Sequence, residues 1–249
     1  MSTARHLLVL GATSAIAQAY ARRCAGEGLR FTLVGRRESS LREIASDLVA
    51  RGAAAADVVV ADLADVSAVE NHAEAIRSRF GEPDEILIAH GVLGRMPDAV
   101  SDLSQARRLL EANFSSAVLW TLALLKNRKP DAPLSLIALG SVAGDRGRAK
   151  NPVYDAAKGG LDIFLQGLQR RYDGSPVRIL IVKPGPVDTP MTATLEKKGP
   201  FLSSPDRVAA DIRRAALRGQ RILYTPWIWC PIMLIIRHLP WFVFRRLRI

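Results

Sequence analysis

Short apolar runs recur along this chain at intervals filled by longer amphipathic stretches, and that alternation restricts the fold more than any other feature. The runs His6 to Leu10, Arg30 to Val34, Asp57 to Ala61, Glu85 to Ala89, Leu134 to Leu139, Val177 to Val182 and Arg221 to Tyr224 have the length of buried strands. Helical patterns fill the gaps: Ala15 to Glu27, Ser39 to Arg51, Val66 to Phe80, Asp102 to Lys126, Pro152 to Tyr172 and Pro205 to Arg218. Gly28, Gly52, Gly81 and Gly174 stand where helices stop. Strands alternating with helices pair in parallel through right-handed crossovers. The pattern therefore predicts an α/β fold, a single Rossmann-type doubly wound parallel sheet of about seven strands with helices on both faces. A chain of 249 residues suits one such domain, and no repeat, low-complexity tract or hinge divides it. Sheets of this kind take ligands at the carboxyl ends of their strands, where the residues with chemistry fall here.

The segment Gly11-Ala12-Thr13-Ser14-Ala15-Ile16-Ala17 follows the first run and opens the first helix. Backbone donors and a helix dipole at such a turn suit the pyrophosphate of a dinucleotide. The loop is poor in glycine: Gly11 serves the tight turn, while Thr13 and Ser14 add hydroxyls to the contacts. At the end of the second run, Gly35-Arg36-Arg37 lacks a carboxylate for ribose hydroxyls and offers guanidinium groups that match a 2′-phosphate. NADP(H) is therefore favoured over NAD(H). Asp62, followed by Leu63, is placed to take the adenine amino group, and Ala89, His90 and Gly91 end the fourth run where the ribose would pass. With no partner visible, His90 reads as a packed or wall residue rather than as an acid or base.

Tyr154 and Lys158 are one helical turn apart, so their side chains share a face, and Ser141 closes the run before them at a strand end. A phenol titrates near about 10 and exchanges protons at neutral pH only where nearby positive charge favours the phenolate, which Lys158 can supply. Tyrosine, lysine and serine so arranged suit hydride transfer at a carbonyl, with the phenol as proton donor.

With the loop, Arg36, Asp62, Asn113, Ser141, Tyr154, Lys158 and Lys183-Pro184-Gly185-Pro186-Val187-Asp188-Thr189 in order, the chain resembles the short-chain dehydrogenase/reductase (SDR) family from about residue 6 to 224. The resemblance implies that Tyr154 is the general acid/base, that Lys158 holds the nicotinamide ribose and lowers the phenol pKa, that Ser141 orients the carbonyl, and that Asn113 anchors a proton-relay water. It also implies that Pro184, Gly185, Val187 and Thr189 line the nicotinamide carboxamide. Ala15 and Ala17 replace glycines, and Ala89-His90-Gly91 stands where the family commonly has Asn-Ala-Gly. A narrower likeness lies in Gly140-Ser141-Val142-Ala143-Gly144-Asp145-Arg146-Gly147-Arg148, in Phe164-Leu165-Gln166-Gly167-Leu168, and in Val187-Asp188-Thr189-Pro190-Met191-Thr192-Ala193. These runs, with the Trp- and Arg-rich end, are similar to reductases of decaprenylphosphoryl 2-keto-erythro-pentose.

Residues 226–249 form a second unit, an apolar tail holding three of the four tryptophans, Trp227, Trp229 and Trp241. Prolines interrupt it, and its apolar runs are far shorter than the ~20 residues that span a bilayer. Aromatic and arginine mixtures of this kind lie in the headgroup plane, so the tail reads as a peripheral membrane anchor or, alternatively, as a subunit contact in a homo-oligomer, dimer or tetramer. The net charge of +11 invites a nucleic-acid reading, but Arg237, Arg245, Arg246 and Arg248 are in this tail, and elsewhere bases are interspersed with acids. No nucleic-acid partner is expected. Cys24 and Cys230 make no cluster, no metal site is expected, and a reduced cytoplasm, at the inner face of the membrane if the tail binds lipid, fits. The early apolar stretch Leu7 to Leu10 is too short for a secretory signal. The function expected first is NAD(P)H-dependent reduction of a ketone, with a polyprenyl-phosphate-linked keto-sugar as substrate. A soluble carbonyl reductase or alcohol dehydrogenase for a hydrophobic small molecule comes second. A noncatalytic NADP-sensing scaffold comes third, since a binder has no use for a proton relay.

Overall fold

The computed structural model describes residues 4–94, 98–192 and 201–247; Ala193 and Arg248 lie outside them. Seven strands form one sheet in the order β3-β2-β1-β4-β5-β6-β7: β1 His6–Leu10, β2 Arg30–Gly35, β3 Ala55–Val60, β4 Glu85–Ile88, β5 Leu134–Leu139, β6 Val177–Pro184 and β7 Ile222–Thr225. Every pair is parallel. The order reverses between β1 and β4, so the crevice expected of a doubly wound sheet opens above the ends of those two strands.

The helices are α1 Ala15–Ala25, α2 Glu38–Ala50, α3 Val69–Phe80, α4 Asp98–Ser101, α5 Leu103–Leu110, α6 Ser116–Leu125, α7 Pro152–Arg171, α8 Pro205–Leu217, α9 Trp229–His238 and α10 Trp241–Phe244. One core layer packs α1, α2 and α8 on the sheet, and a second packs α3, α6 and α7 on its other face. In β1 the side chains of Leu7 and Val9 enter the first layer and those of Leu8 and Leu10 the second. A strand buried on both faces has no polar side, which is why the run is continuously apolar.

Three of the differences from the sequence pattern bear on the site. The alanines at 55 and 56 belong to β3, because their backbones register with Arg30 and Phe31 of β2. β6 continues through Lys183 and Pro184, which pair with Tyr224 and Thr225 of β7. The single helix expected from Asp102 to Lys126 is interrupted by a π-helical turn, Glu111–Ser115. There Asn113 Nδ2 donates to Leu109 O and Val92 O at 2.9 and 2.8 Å, while its Oδ1 accepts from Val92 N at 3.1 Å. A side chain that competes for a carbonyl four residues back, while also tied to another segment, favours a local wide turn.

Candidate active site

The site begins with α7. Pro152 occupies its first turn, where a missing N–H costs nothing, and sets the start that places Tyr154 and Lys158 on successive turns. Lys158 Nζ is 5.9 Å from the centroid of the Tyr154 ring, and it donates to Leu139 O, at the end of β5, at 2.9 Å. Ser141 follows two residues after Leu139, and its Oγ accepts from Ala143 N at 3.1 Å, capping a 3-10 turn Val142–Asp145. That turn is locked to α7 by bare backbone: a Cβ on Gly144 would fall 2.8 Å from the main chain of Lys158, and one on Gly159 3.1 Å from Gly144 O. The serine therefore cannot drift relative to the tyrosine and lysine.

Asn113 joins this group through Gly91. A Cβ there would stand 2.6 Å from Asn113 Oδ1 and 3.5 Å from Lys158 Nζ, so only glycine lets the carboxamide and ammonium converge. On the other side, the ring of Phe114 lies against Gly160 of α7. The Asn113 carboxamide spends both its hydrogens and one acceptor site on Val92 and Leu109, so its side chain fixes the π turn.

Electrostatically, burial lowers the Lys158 ammonium to about 8. Burial also raises the Tyr154 phenol above its ordinary value, opposed by hydrogen bonding with Ser141 and by the Arg148 guanidinium. The sequence pattern led us to expect lysine to pull the phenol down; in this site burial sets the direction, and the phenol is held as a neutral proton donor.

The sequence reading missed several side chains around the site. Arg148 grips Asp155 through Nε and Nη2 at 3.0 and 2.7 Å, next to Tyr154. Lys183 Nζ is buried and donates to Asp145 Oδ1 and Asp162 Oδ2, both at 2.6 Å, while Tyr224 Oη donates to Asp145 Oδ2 at 2.8 Å. Although burial alone would lower it, these carboxylates hold Lys183 above its ordinary pKa. A lysine inside the run Val177 to Val182 plus its neighbours was the available signal, since a buried ammonium requires partners. Arg146 reaches into the tail, and Trp229 from α9 stacks its indole edge on Gly185, where a Cβ would fall 1.9 Å from Nε1. Nothing in the local sequence announces these two long-range contacts.

The dinucleotide end lies along β1, β2 and β4. Gly11 has φ +85° and a Cβ there would sit 2.7 Å from His90 N, which ties the loop to the end of β4. Ser14 is the N-cap of α1 but makes no side-chain cap, leaving the first-turn N–H groups uncapped by it, with Thr13 one residue before in the same loop. Ala17 is fully buried between α1 and the sheet, so the methyl in place of glycine is absorbed by the core. Arg36 and Arg37 are exposed at the start of α2 and, among the described residues, neither forms an ion pair. Asp62 is exposed with Oδ1 accepting from Ala64 N at 3.0 Å, and Leu63 behind it is buried. Ala89 is buried against Leu10. The partner His90 lacked in the sequence is Ser116: Nε2 lies 2.8 Å from its Oγ, and that hydroxyl donates to Leu63 O. Burial and the Lys158 charge lower His90 to about 3, so it is a neutral wall. Pro184 ends β6, Val187 is buried, and Thr189 N donates to Thr192 Oγ1 at 3.2 Å, closing the loop that carries Gly185. Uncapped helix donors, hydroxyls and unpaired guanidiniums, with one exposed carboxylate as an acceptor, are groups that could hold a dinucleotide.

Comparison with known proteins agrees with this geometry. The family model described as short chain dehydrogenase matches residues 5–199. An uncharacterised oxidoreductase of Mycobacterium tuberculosis (strain ATCC 25618 / H37Rv) is 33% identical over 241 residues, covering 97% of this chain and 96% of its own. One from Streptomyces coelicolor is 33% identical over 246 residues, covering 98% and 96%. Among solved structures, actinorhodin polyketide ketoreductase with NADPH superposes with a TM-score of 0.76 at 25% identity, covering 90% of this chain and 97% of that one. The 3-oxoacyl-[acyl-carrier protein] reductase of Brucella melitensis, in complex with NAD, superposes with a TM-score of 0.79 at 20% identity, covering 90% and 96%.

Proposed function

The chain belongs to the short-chain dehydrogenase family, whose members are NAD(P)-dependent oxidoreductases, and we propose that it uses NADPH to reduce a ketone to a secondary alcohol on a polyprenyl-phosphate-linked keto-sugar. The observation that carries the chemistry is the convergence of Ser141, Tyr154 and Lys158 at the carboxyl edge of β5, with their spacing held by the Gly144–Gly159 contact. The choice of phosphorylated cofactor is supported by Arg36 and Arg37, unpaired where an acid would favour NAD, and the 25%-identical ketoreductase was solved with NADPH. The keto-sugar is supported by the runs beginning at Gly140, Phe164 and Val187, which are similar to those of decaprenylphosphoryl keto-pentose reductases.

NADPH, when bound, supplies the hydride that adds to the ketone carbon. Thr13, Ser14 and the first N–H groups of α1 would hold the pyrophosphate, Arg36 the 2′-phosphate and Asp62 the adenine, while Lys158 would hold the nicotinamide ribose. Ser141 donates a hydrogen bond to the ketone oxygen and polarises it. Tyr154, held neutral by desolvation of its phenol, releases its proton to the same oxygen as the C=O pair moves onto it. Lys158 then stabilises the phenolate, an interaction that strengthens only as the charge develops.

Tyr154→Phe is expected to bind NADPH with unchanged affinity and to lose about 100- to 10,000-fold in kcat, read by single-turnover NADPH oxidation. Undiminished turnover in the purified variant rejects the assignment. Arg36→Glu should shift the kcat/KM ratio toward NADH; an unaltered ratio removes the 2′-phosphate role. For the substrate, kcat/KM on a polyprenyl-phosphate keto-pentose should far exceed that on simple aliphatic ketones, and parity would favour a general carbonyl reductase.

A further inference from the structure

We propose that the outward face of α9 and α10 is a lipid-contacting surface that seats this protein on an anionic bilayer. The segment is firmly held. Arg146, which follows the turn capped by Ser141, donates from Nη1 to the carbonyls of Ile236, Arg237 and Leu239 at 2.6, 3.0 and 2.7 Å, and its guanidinium lies 4.0 Å over the Phe244 ring. A cation at the carbonyl end of α9 also complements the helix dipole. Met233 and Phe244 turn inward and are buried.

What remains faces out. Trp227, Trp241 and Phe242 are 71%, 68% and 61% exposed, with Leu234 and Ile235 between them. An element pinned in one conformation that still leaves large aromatics in water is built for a partner. The charges beside it select which partner. Arg237, Arg245 and Arg246 are exposed, and residues 226–247 contain no acid. A second copy docking by two-fold symmetry would set this acid-free patch against an identical one with no carboxylate to pair its arginines. An anionic lipid surface instead accepts the guanidiniums at its headgroups and the indoles at its interface. No helix among the described residues is long and apolar enough to cross a membrane, and the ten residues of α9 extend only about 15 Å, half a hydrocarbon core. The segment lies on the surface. It is also continuous with the cleft, because Trp229 of the same helix packs on Gly185.

This inference does not depend on the reductase reading, and its test does not use turnover. Full-length protein loaded with NADPH is sedimented with vesicles of phosphatidylcholine alone or with about one quarter phosphatidylglycerol. Binding is expected with the anionic vesicles only, reduced at least about tenfold by Trp241→Ser with Phe242→Ser and by Arg245→Gln with Arg246→Gln, and weakened by salt. Thermal melting of each variant checks that the exposed changes leave the fold intact. Failure of the parent protein to sediment, or equal binding by parent and variants, overturns the proposal. Loss of a dimer in the Trp241→Ser/Phe242→Ser variant by analytical ultracentrifugation, without vesicle binding by the parent, assigns the surface to a second copy instead.

Discussion

Lys158 carries a charge that its surroundings have already weakened. Its single strong partner is a neutral carbonyl, Leu139 O, and burial draws its pKa from 10.5 to about 8. The ammonium is therefore complete below that value and fades as pH rises through it. If the charge helps hold NADPH, fluorescence titrations should show affinity falling as pH climbs through about 8, and Lys158→Met should abolish that step along with much of the affinity. Stability moves the other way: between about 8 and 10.5 the unfolded chain binds more protons at this site than the folded one, so the lysine's cost to folding is relieved as pH rises. An NADPH affinity that is flat from pH 7 to 10 would dissociate Lys158 from cofactor binding.

At the scale of elements, the catalytic spacing depends on two glycine contacts rather than on the helix alone. Gly144→Ala forces a Cβ to within 2.8 Å of the Lys158 backbone, and neither the turn nor α7 can yield without moving Ser141. Overpacking of this kind costs about 1 to 3 kcal/mol, to be read from denaturant unfolding, and kcat should fall with NADPH affinity nearly intact. Gly147→Ala, where a Cβ meets nothing within 4 Å, is the matched control and should do neither. The π turn makes a related case. Asn113→Ala removes the side-chain partner of the Val92 N–H and of two carbonyls beside a buried lysine, so a loss of about 1 to 3 kcal/mol is expected.

Across the whole molecule, Arg146 is the tie between the catalytic turn and the tail. Arg146→Ala removes three hydrogen bonds and the contact with Phe244. Amide exchange across α9 and α10 should quicken selectively while the sheet stays protected, whereas uniform exchange would show that the tail is held by its own packing. Acid should destabilise the domain from two distant points. Burial lowers His6 to about 4 and His90 to about 3, so each is neutral when folded and protonated when unfolded between that value and about 6.5. Their contribution to stability is complete above pH 6.5 and is lost as pH falls toward 3, at about 1.4 kcal/mol for each unit of separation. A Tm against pH profile should steepen below 6.5, and His90→Asn should flatten it. An unchanged profile in that variant would place the acid sensitivity elsewhere.

A doubly wound parallel sheet of about seven strands, helices on both its faces, and the helical step that puts Tyr154 and Lys158 together were readable in the chain itself, because each is set by a local regularity. Apolar runs such as Leu7 to Leu10 mark strands buried on both faces, and the four-residue step from Tyr154 to Lys158 defines a common helical face. Those regularities are carried by neighbours in sequence. The finer arrangement is carried by neighbours in space, and only the folded chain reveals it. Lys183 gains its carboxylates from residues 38 and 21 positions away, and Arg146 finds the tail about 90 positions on. The direction of the Tyr154 shift, too, is decided by how much of the ring leaves water, a property of the assembled cleft that no spacing between two residues expresses.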